Sequence, residues 1–355
     1  MPRTESSECD GLSSEITKTM IITLTENVTD RQVNDVVEHL KASDLEPRVM
    51  RNGHVRIAAL GKKNPVAIEK LRALTGVAEI AQPEQPFLLA SRQIKPERSV
   101  VRIKTVEIGG DSAVIIAGPC SVESIEQTVS TARFVAANGA VMLRGGAYKP
   151  RTSPYEFQGL GIEALKILRV ASDETGLPIV TEVMSETDVE TVAQYADMFQ
   201  VGARNMQNFA LLKKLAKTKT TILLKRGASA TVKEWLLAAE YLLAGGNENV
   251  VLCERGIKTF ETMTRNTLDL ASVALVKQLS HLPVIVDPSH ATGVRSLVAP
   301  CARAAIAIGA DGVIVEVHPN PEKALSDGAQ SLTFADFAQM TTEITRPLRA
   351  VASLK

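Results

Sequence analysis

Eight short runs of near-continuous Val, Ile and Leu recur from residue 113 onward, and they restrict the fold of this chain more than any other feature. They are AVIIAGPC (113–120), AVMLRGG (140–146), PIVTEVM (178–184), MFQVGA (198–203), TILLKRG (221–227), NVVLCERG (249–256), PVIVDPSH (283–290) and GVIVEVH (312–318). Helical patterns separate them, such as SIEQTVSTARFVAANG, TVKEWLLAAEYLLAGG and VRSLVAPCARAAIAIG, and a last amphipathic helix is expected over about 332–352. A strand that is apolar on both faces has to be covered on both, as in a parallel sheet flanked by helices. Eight strand–helix units in roughly 255 residues match the count and length of an α/β fold, the (β/α)8 or TIM barrel. A doubly wound open sheet is the alternative, because periodicity does not show closure.

Residues 20–83 carry a different pattern. MIITLT (20–25) alternates as a strand, and DRQVNDVVEHLKAS (30–43) places Val33, Val36, Val37 and Leu40 on one helical face. EPRVMRNG and HVRIAALG read as two strands around an Asn52–Gly53 turn. PVAIEKLRALTG (65–76) is a second helix with Pro in its first turn, and VAEIAQP (77–83) closes the unit. The order β-α-β-β-α-β is that of a small α+β, ferredoxin-like domain. Such a module fused to an enzyme commonly senses a small molecule, and a purely structural addition is the plainer reading. The polar residues 1–19 read as a disordered tail, 84–99 as a linker with few core-forming residues, and 100–355 as the barrel with a short hairpin at 100–110 ahead of it.

Forty Lys plus Arg balance forty Asp plus Glu, which argues against nucleic acid and against a polybasic membrane anchor. Aromatics at 4% disfavour a stacking platform for single strands. No apolar run is long enough to span a bilayer or to serve as a secretory h-region, so a cytoplasmic protein is expected. The four cysteines (Cys9, Cys120, Cys253 and Cys301) are too sparse for a disulfide scaffold.

In a (β/α)8 barrel the active site lies at the C-terminal ends of the strands. Seven of the eight expected strand ends carry charged or metal-competent groups. One set is cationic: Arg144, Lys149, Arg151, Arg204, Lys225, Arg226 and Arg255. Converging cations repel unless anions lie between them, and phosphates or carboxylates suit Arg forks and Lys point charges. The second set is Cys120, His290, Glu316 and Asp327. A thiolate, an imidazole and two carboxylates could hold a divalent Mn, Fe, Co or Zn ion, if barrel closure brings the first, seventh and eighth strands together. A buried structural Cys and a hydrogen-bonded His are the alternatives.

Seven long motifs resemble one family: AGPCSVES (117–124), LRGGAYKPRTSPYEFQGLG (143–161), QVGARNMQN (200–208), LLKRG (223–227), CERG (253–256), VDPSHATG (286–293) and VEVHPNPEKALSDGAQS (315–331). Residues 113–330 are similar to 3-deoxy-D-arabino-heptulosonate 7-phosphate (DAHP) synthases of the type Iβ group, and 20–83 to the regulatory domain fused to some of its members. The resemblance implies condensation of phosphoenolpyruvate with erythrose 4-phosphate at the start of the shikimate pathway. It implies metal ligands at Cys120, His290, Glu316 and Asp327. Phosphoenolpyruvate contacts fall on Arg144, Lys149, Arg204, Lys225 and Arg255, and erythrose 4-phosphate on Lys149, Pro150, Arg151 and Thr152. Lys149, Cys120 and His290 are then the residues nearest the chemistry. A homotetramer is expected by the same resemblance, and feedback inhibition by tyrosine or phenylalanine because that reaction would commit carbon to aromatic amino acids. The nearest rival is 3-deoxy-D-manno-octulosonate 8-phosphate synthase, whose corresponding segment reads Lys-Ala-Asn-Arg-Ser, so Pro150 before Arg151 favours the four-carbon aldehyde. A catalytically silent, amino-acid-sensing barrel is the rival from outside the enzymes.

Overall fold

The computed structural model describes the backbone of residues 19–61 and 65–352, so the expected tail, apart from Thr19, lies outside the described residues. The chain divides between Pro96 and Glu97.

In the first unit the order is β1 (Met20–Leu24), α1 (Asp30–Lys41), β2 (Glu46–Asn52), β3 (His54–Leu60), α2 (Pro65–Arg72) and β4 (Val77–Ala81). The sheet order is β2-β3-β1-β4, with β1 antiparallel to both β3 and β4, as the ferredoxin-like reading requires. Thr29 starts α1 with a capping box: its hydroxyl accepts the Gln32 N–H, and the Gln32 side chain accepts the Thr29 N–H in return. Val33, Val36 and Leu40 then face Ile22, Ile57 and Leu71 in one apolar cluster. Beyond β4 the segment read as a linker buries Phe87, Leu88, Leu89, Ala90 and Ile94, so it is richer in core residues than its Pro and Gln content suggests.

The second unit opens with a hairpin, β5 (Val101–Ile103) and β6 (Val106–Ile108). Its eight parallel strands are β7 (Val114–Gly118), β8 (Met142–Arg144), β9 (Ile179–Glu182), β10 (Met198–Val201), β11 (Thr221–Lys225), β12 (Val250–Glu254), β13 (Val284–Val286) and β14 (Gly312–Glu316). They close into a barrel, with β14 beside β7 and Glu316 opposite Gly118. The helices are α3 (Ile125–Ala137), α4 (Ile162–Thr175), α5 (Val189–Ala193), α6 (Phe209–Leu215), α7 (Val232–Ala244), α8 (Leu270–Leu279), α9 (Pro288–Thr292), α10 (Arg295–Ala307) and α11 (Phe334–Ala352). Closure excludes the open-sheet alternative. Val101, Ile103, Val106 and Ile108 of the hairpin pack with the barrel-interior residues Val114, Ile116, Met142, Met198, Leu223, Val251 and Ile285. Ser99 N–H donates to the His281 carbonyl just ahead of β13, which places the hairpin at the N-terminal end. The opposite end is left for chemistry. No helix among the described residues is long and apolar enough to cross a membrane.

Candidate active site

Strand period decides which side chains reach the mouth. On β11 Lys225 turns inward, where its Nζ lies 2.5 Å from Asp287 Oδ2. Arg226 turns outward and pairs with Glu254 at 2.9 Å and Asp269 at 2.8 Å, with the Trp235 ring beside it. Arg226 therefore belongs to the barrel's outer layer, and its grouping with the cationic rim is corrected. On β12, Cys253 packs in the barrel interior while Glu254 faces Arg226.

The remaining cations converge. A cavity of about 280 Å³ at the C-terminal end is lined by Lys149, Pro150, Arg151, Thr152, Arg204, Lys225, Arg255, His290 and Asp327. Glu156, Glu182, Gln200 and Arg265 join them, and none of these four was singled out from the sequence. Glu182 ends β9, the one strand end to which no role was given; its position at the end of an apolar run was the available signal. Arg265 sits in the long loop after β12, and the pairing of Arg265 and Asn266 N–H groups with the Thr292 and Ala291 carbonyls, together with a guanidinium bond to Gln330 Oε1 at 3.2 Å, holds it at the rim. Local spacing carries no trace of that.

Arg255 pairs with no carboxylate among the described residues; its guanidinium donates to the Gly256 and His290 carbonyls. Burial, opposed by Asp287 and reinforced by Arg265, pulls its pKa below the ordinary arginine value. Arg204 stands in a short 3-10 turn after β10 and has no ion-pair partner among the described residues. An anion in this cavity would give both a charged partner.

Beneath lies the second set. Cys120 Sγ, a Glu316 oxygen and an Asp327 oxygen lie within 4.8 Å of one another. Cys120 Sγ is 3.3 Å from Asp327 Oδ2, 3.0 Å from Ser326 Oγ and 2.9 Å from Lys149 Nζ. Gly118, on β7 just ahead of Cys120, has to be glycine, because a Cβ there would lie 2.1 Å from the Arg144 carbonyl oxygen. Arg144 Nη1 donates to Glu316 Oε1 at 2.5 Å, and its buried Nε has no partner among the described residues. Burial, then Glu316, pushes the Cys120 thiol up to about 12, although Lys149 and Arg144 pull the other way. Glu316 is held below the ordinary carboxylate range: burial opposes this, but His290, Arg144 and Lys149 outweigh it.

His290 joins this set through Glu316. Its Nδ1 is 2.7 Å from Asp287 Oδ2, and Asp287 also accepts the His290 backbone N–H. Burial lowers the imidazole pKa, and Lys225 adds to it, against Asp287 and Glu316. A neutral ring donating from Nδ1 leaves the Nε2 lone pair only 3.3 Å from Glu316 Oε1. Two acceptors face each other there, beside a thiol and a second carboxylate. That donor set fits a divalent cation, which would reconcile the lone pairs and deprotonate the thiol.

Residues 93–349 match the DAHP synthetase I family, and residues 20–82 match the DAHP synthase ferredoxin-like domain. A phospho-2-dehydro-3-deoxyheptonate aldolase from Thermotoga maritima is 47% identical over 329 residues, 92% of this chain and 97% of the relative. A crystal structure of the Thermotoga maritima enzyme, 46% identical, superposes with a TM-score of 0.75 over 94% of this chain and 98% of the other. A 2-dehydro-3-deoxyphosphooctonate aldolase from Syntrophotalea carbinolica is 32% identical over 251 residues, 65% of this chain and 90% of the relative. With both of its units matched, the chain belongs to the DAHP synthetase I family and is a DAHP synthase.

Proposed function

We propose that the cavity binds phosphoenolpyruvate and erythrose 4-phosphate side by side and joins them into 3-deoxy-D-arabino-heptulosonate 7-phosphate. The observation that carries this is the convergence of Lys149, Arg151, Arg204, Lys225, Arg255 and Arg265 on one small cavity above the Cys120–Glu316–Asp327 cluster. Two phosphates and a carboxylate supply anions for the cations that the cavity's own carboxylates leave unpaired among the described residues. Arg204 and Arg255, free of carboxylate partners among the described residues, hold the phosphate of phosphoenolpyruvate. Arg144, with its spare buried Nε, and Lys225 hold its carboxylate. Arg151 and Thr152, with Pro150 shaping the segment, receive the phosphate of the aldose. In the reaction C3 of phosphoenolpyruvate attacks the aldehyde carbon, water adds at C2, and the C–O bond to phosphate breaks. Lys149 has its Nζ beside Cys120 and carries the proton to the new hydroxyl. Burial works against its charge, but Cys120 and Glu316 raise its pKa, so it arrives protonated. Cys120, His290, Glu316 and Asp327 would hold a Mn, Fe, Co or Zn ion, which would supply Lewis acidity for the charge that develops on the aldehyde oxygen.

The ferredoxin-like unit is read as an inhibitory sensor for tyrosine or phenylalanine in a cytoplasmic homotetramer. A sensor works by binding one arrangement of the protein more tightly than another, typically by about 1–3 kcal/mol of coupling. The deciding experiment is phosphate release and product formation from phosphoenolpyruvate with erythrose 4-phosphate or arabinose 5-phosphate. The four-carbon aldehyde should be strongly preferred in kcat/KM; preference for the pentose phosphate would replace this reading with that of the octulosonate synthases.

A further inference from the structure

Glu123 lies in the loop between β7 and α3, three residues past Cys120, and its carboxylate reaches the loop that follows β14. Its Oε1 accepts the Leu325 N–H at 2.9 Å, two residues before Asp327. Its Oε2 is 3.4 Å from His318 Nε2, two residues after Glu316. His318 Nδ1 accepts the Asn320 N–H at 3.0 Å, so the ring carries its proton on Nε2 and donates it to Glu123. Both side chains are nearly buried, at 11% and 7% exposure. One carboxylate thus ties down both ends of the segment 318–325.

The segment needs holding. Asp327 stands at φ +50°, a left-handed conformation that costs a non-glycine residue energy and persists where the surroundings over-determine it. Its carboxylate nevertheless has to meet the Cys120 thiol, which comes from the loop after β7, roughly two hundred residues earlier in the chain. Metal ligands are commonly oriented by hydrogen-bonded neighbours that touch no metal themselves. We propose that Glu123 and His318 are positioning residues that lock the Asp327 loop against the Cys120 loop and so preorganise the ligand set. The inference rests on the assignment of Cys120, His290, Glu316 and Asp327 as that set.

Substitution separates the two bonds. In Glu123→Gln the amide oxygen still accepts from Leu325, but its NH2 opposes the His318 Nε2–H, and His318 cannot change tautomer without losing Asn320. Glu123→Ala removes both bonds. The test is a titration of metal-stripped full-length protein with Co²⁺ against a chromophoric chelator. Near-ultraviolet absorbance reports cobalt–thiolate bonding, and amide hydrogen exchange is followed over 319–328. Glu123→Ala should weaken Co²⁺ binding by about 10- to 100-fold and Glu123→Gln by less, with the thiolate band regained at saturation and faster exchange at Leu325. If Glu123→Ala does not fold, the volume-conserving Glu123→Gln decides. Wild-type affinity with wild-type exchange in the folded variant would overturn the brace. Cys120→Ala distinguishes the two failures: should it bind Co²⁺ as tightly as the wild type, the ligand assignment itself is wrong.

Discussion

Neighbouring cations with the same charge have opposite fates in this protein, and Lys225 and Arg226 show it most clearly. Strand alternation sends one to the cavity and the other to Glu254 and Asp269 outside. Arg255→Ala should therefore lower kcat/KM for phosphoenolpyruvate at least ~100-fold with little change in unfolding midpoint, since it loses a charge-assisted contact in a closed site. Arg226→Ala should instead cost about 3 kcal/mol or more of stability, read from urea unfolding, because it strands the buried Glu254 carboxylate. A drop in midpoint for the first, or a kinetic defect without one for the second, would reverse the assignments. The titrations have signs too. In metal-free protein the depressed His290 pKa means that stability is present above about 6.5 and is lost as pH falls through the folded value. Glu316, also depressed, extends the loss below about 4.5. The raised Cys120 pKa contributes stability below about 9 that disappears as pH rises towards 12. Urea midpoints should thus plateau between about pH 6.5 and 9, and Cys120→Ser should shallow the alkaline slope. An unchanged slope would mean that the thiol titrates normally in the fold.

At the scale of elements, most of the architecture was legible in the sequence because apolar runs and helix starts are local. The βαββαβ order, the hairpin at 100–110 and all eight barrel strands lie where periodicity places them, and even β8, only three residues long, is flagged by MLR. What the pattern did not carry is contact between elements. Glu182 and Arg265 reach the cavity through β9 packing and a loop pinned along α9, and the apolar residues of 87–94 look like linker until their burial is seen. Two glycines test how elements approach. A Cβ on Gly118 would strike the Arg144 backbone carbonyl, whereas one on Gly202 would meet the Glu182 carboxylate, each at 2.1 Å. Gly118→Ala should lower the melting temperature by many degrees, since backbone has to move. Gly202→Ala should leave melting nearly unchanged and reduce kcat/KM as Glu182 swings aside. Equal melting losses would show that Glu182 is held as firmly as backbone.

For the whole molecule the two units should separate in function. A chain beginning at Ser99 should keep synthase activity and lose sensitivity to tyrosine and phenylalanine at millimolar levels. Equal inhibition of both forms would give the small unit another role.

The β14–β7 seam that closes the ring has a consequence for timing. Cys120 emerges from the ribosome early in the barrel, whereas Glu316 and Asp327 emerge roughly two hundred residues later, at about 5–20 residues per second. A nascent chain consequently holds the Cys120 thiol without its carboxylate partners for many seconds and cannot assemble the ligand cluster until its last strand docks against its first. Only a chain that has closed its circle presents the cluster, and a misjoined or prematurely released one remains without it.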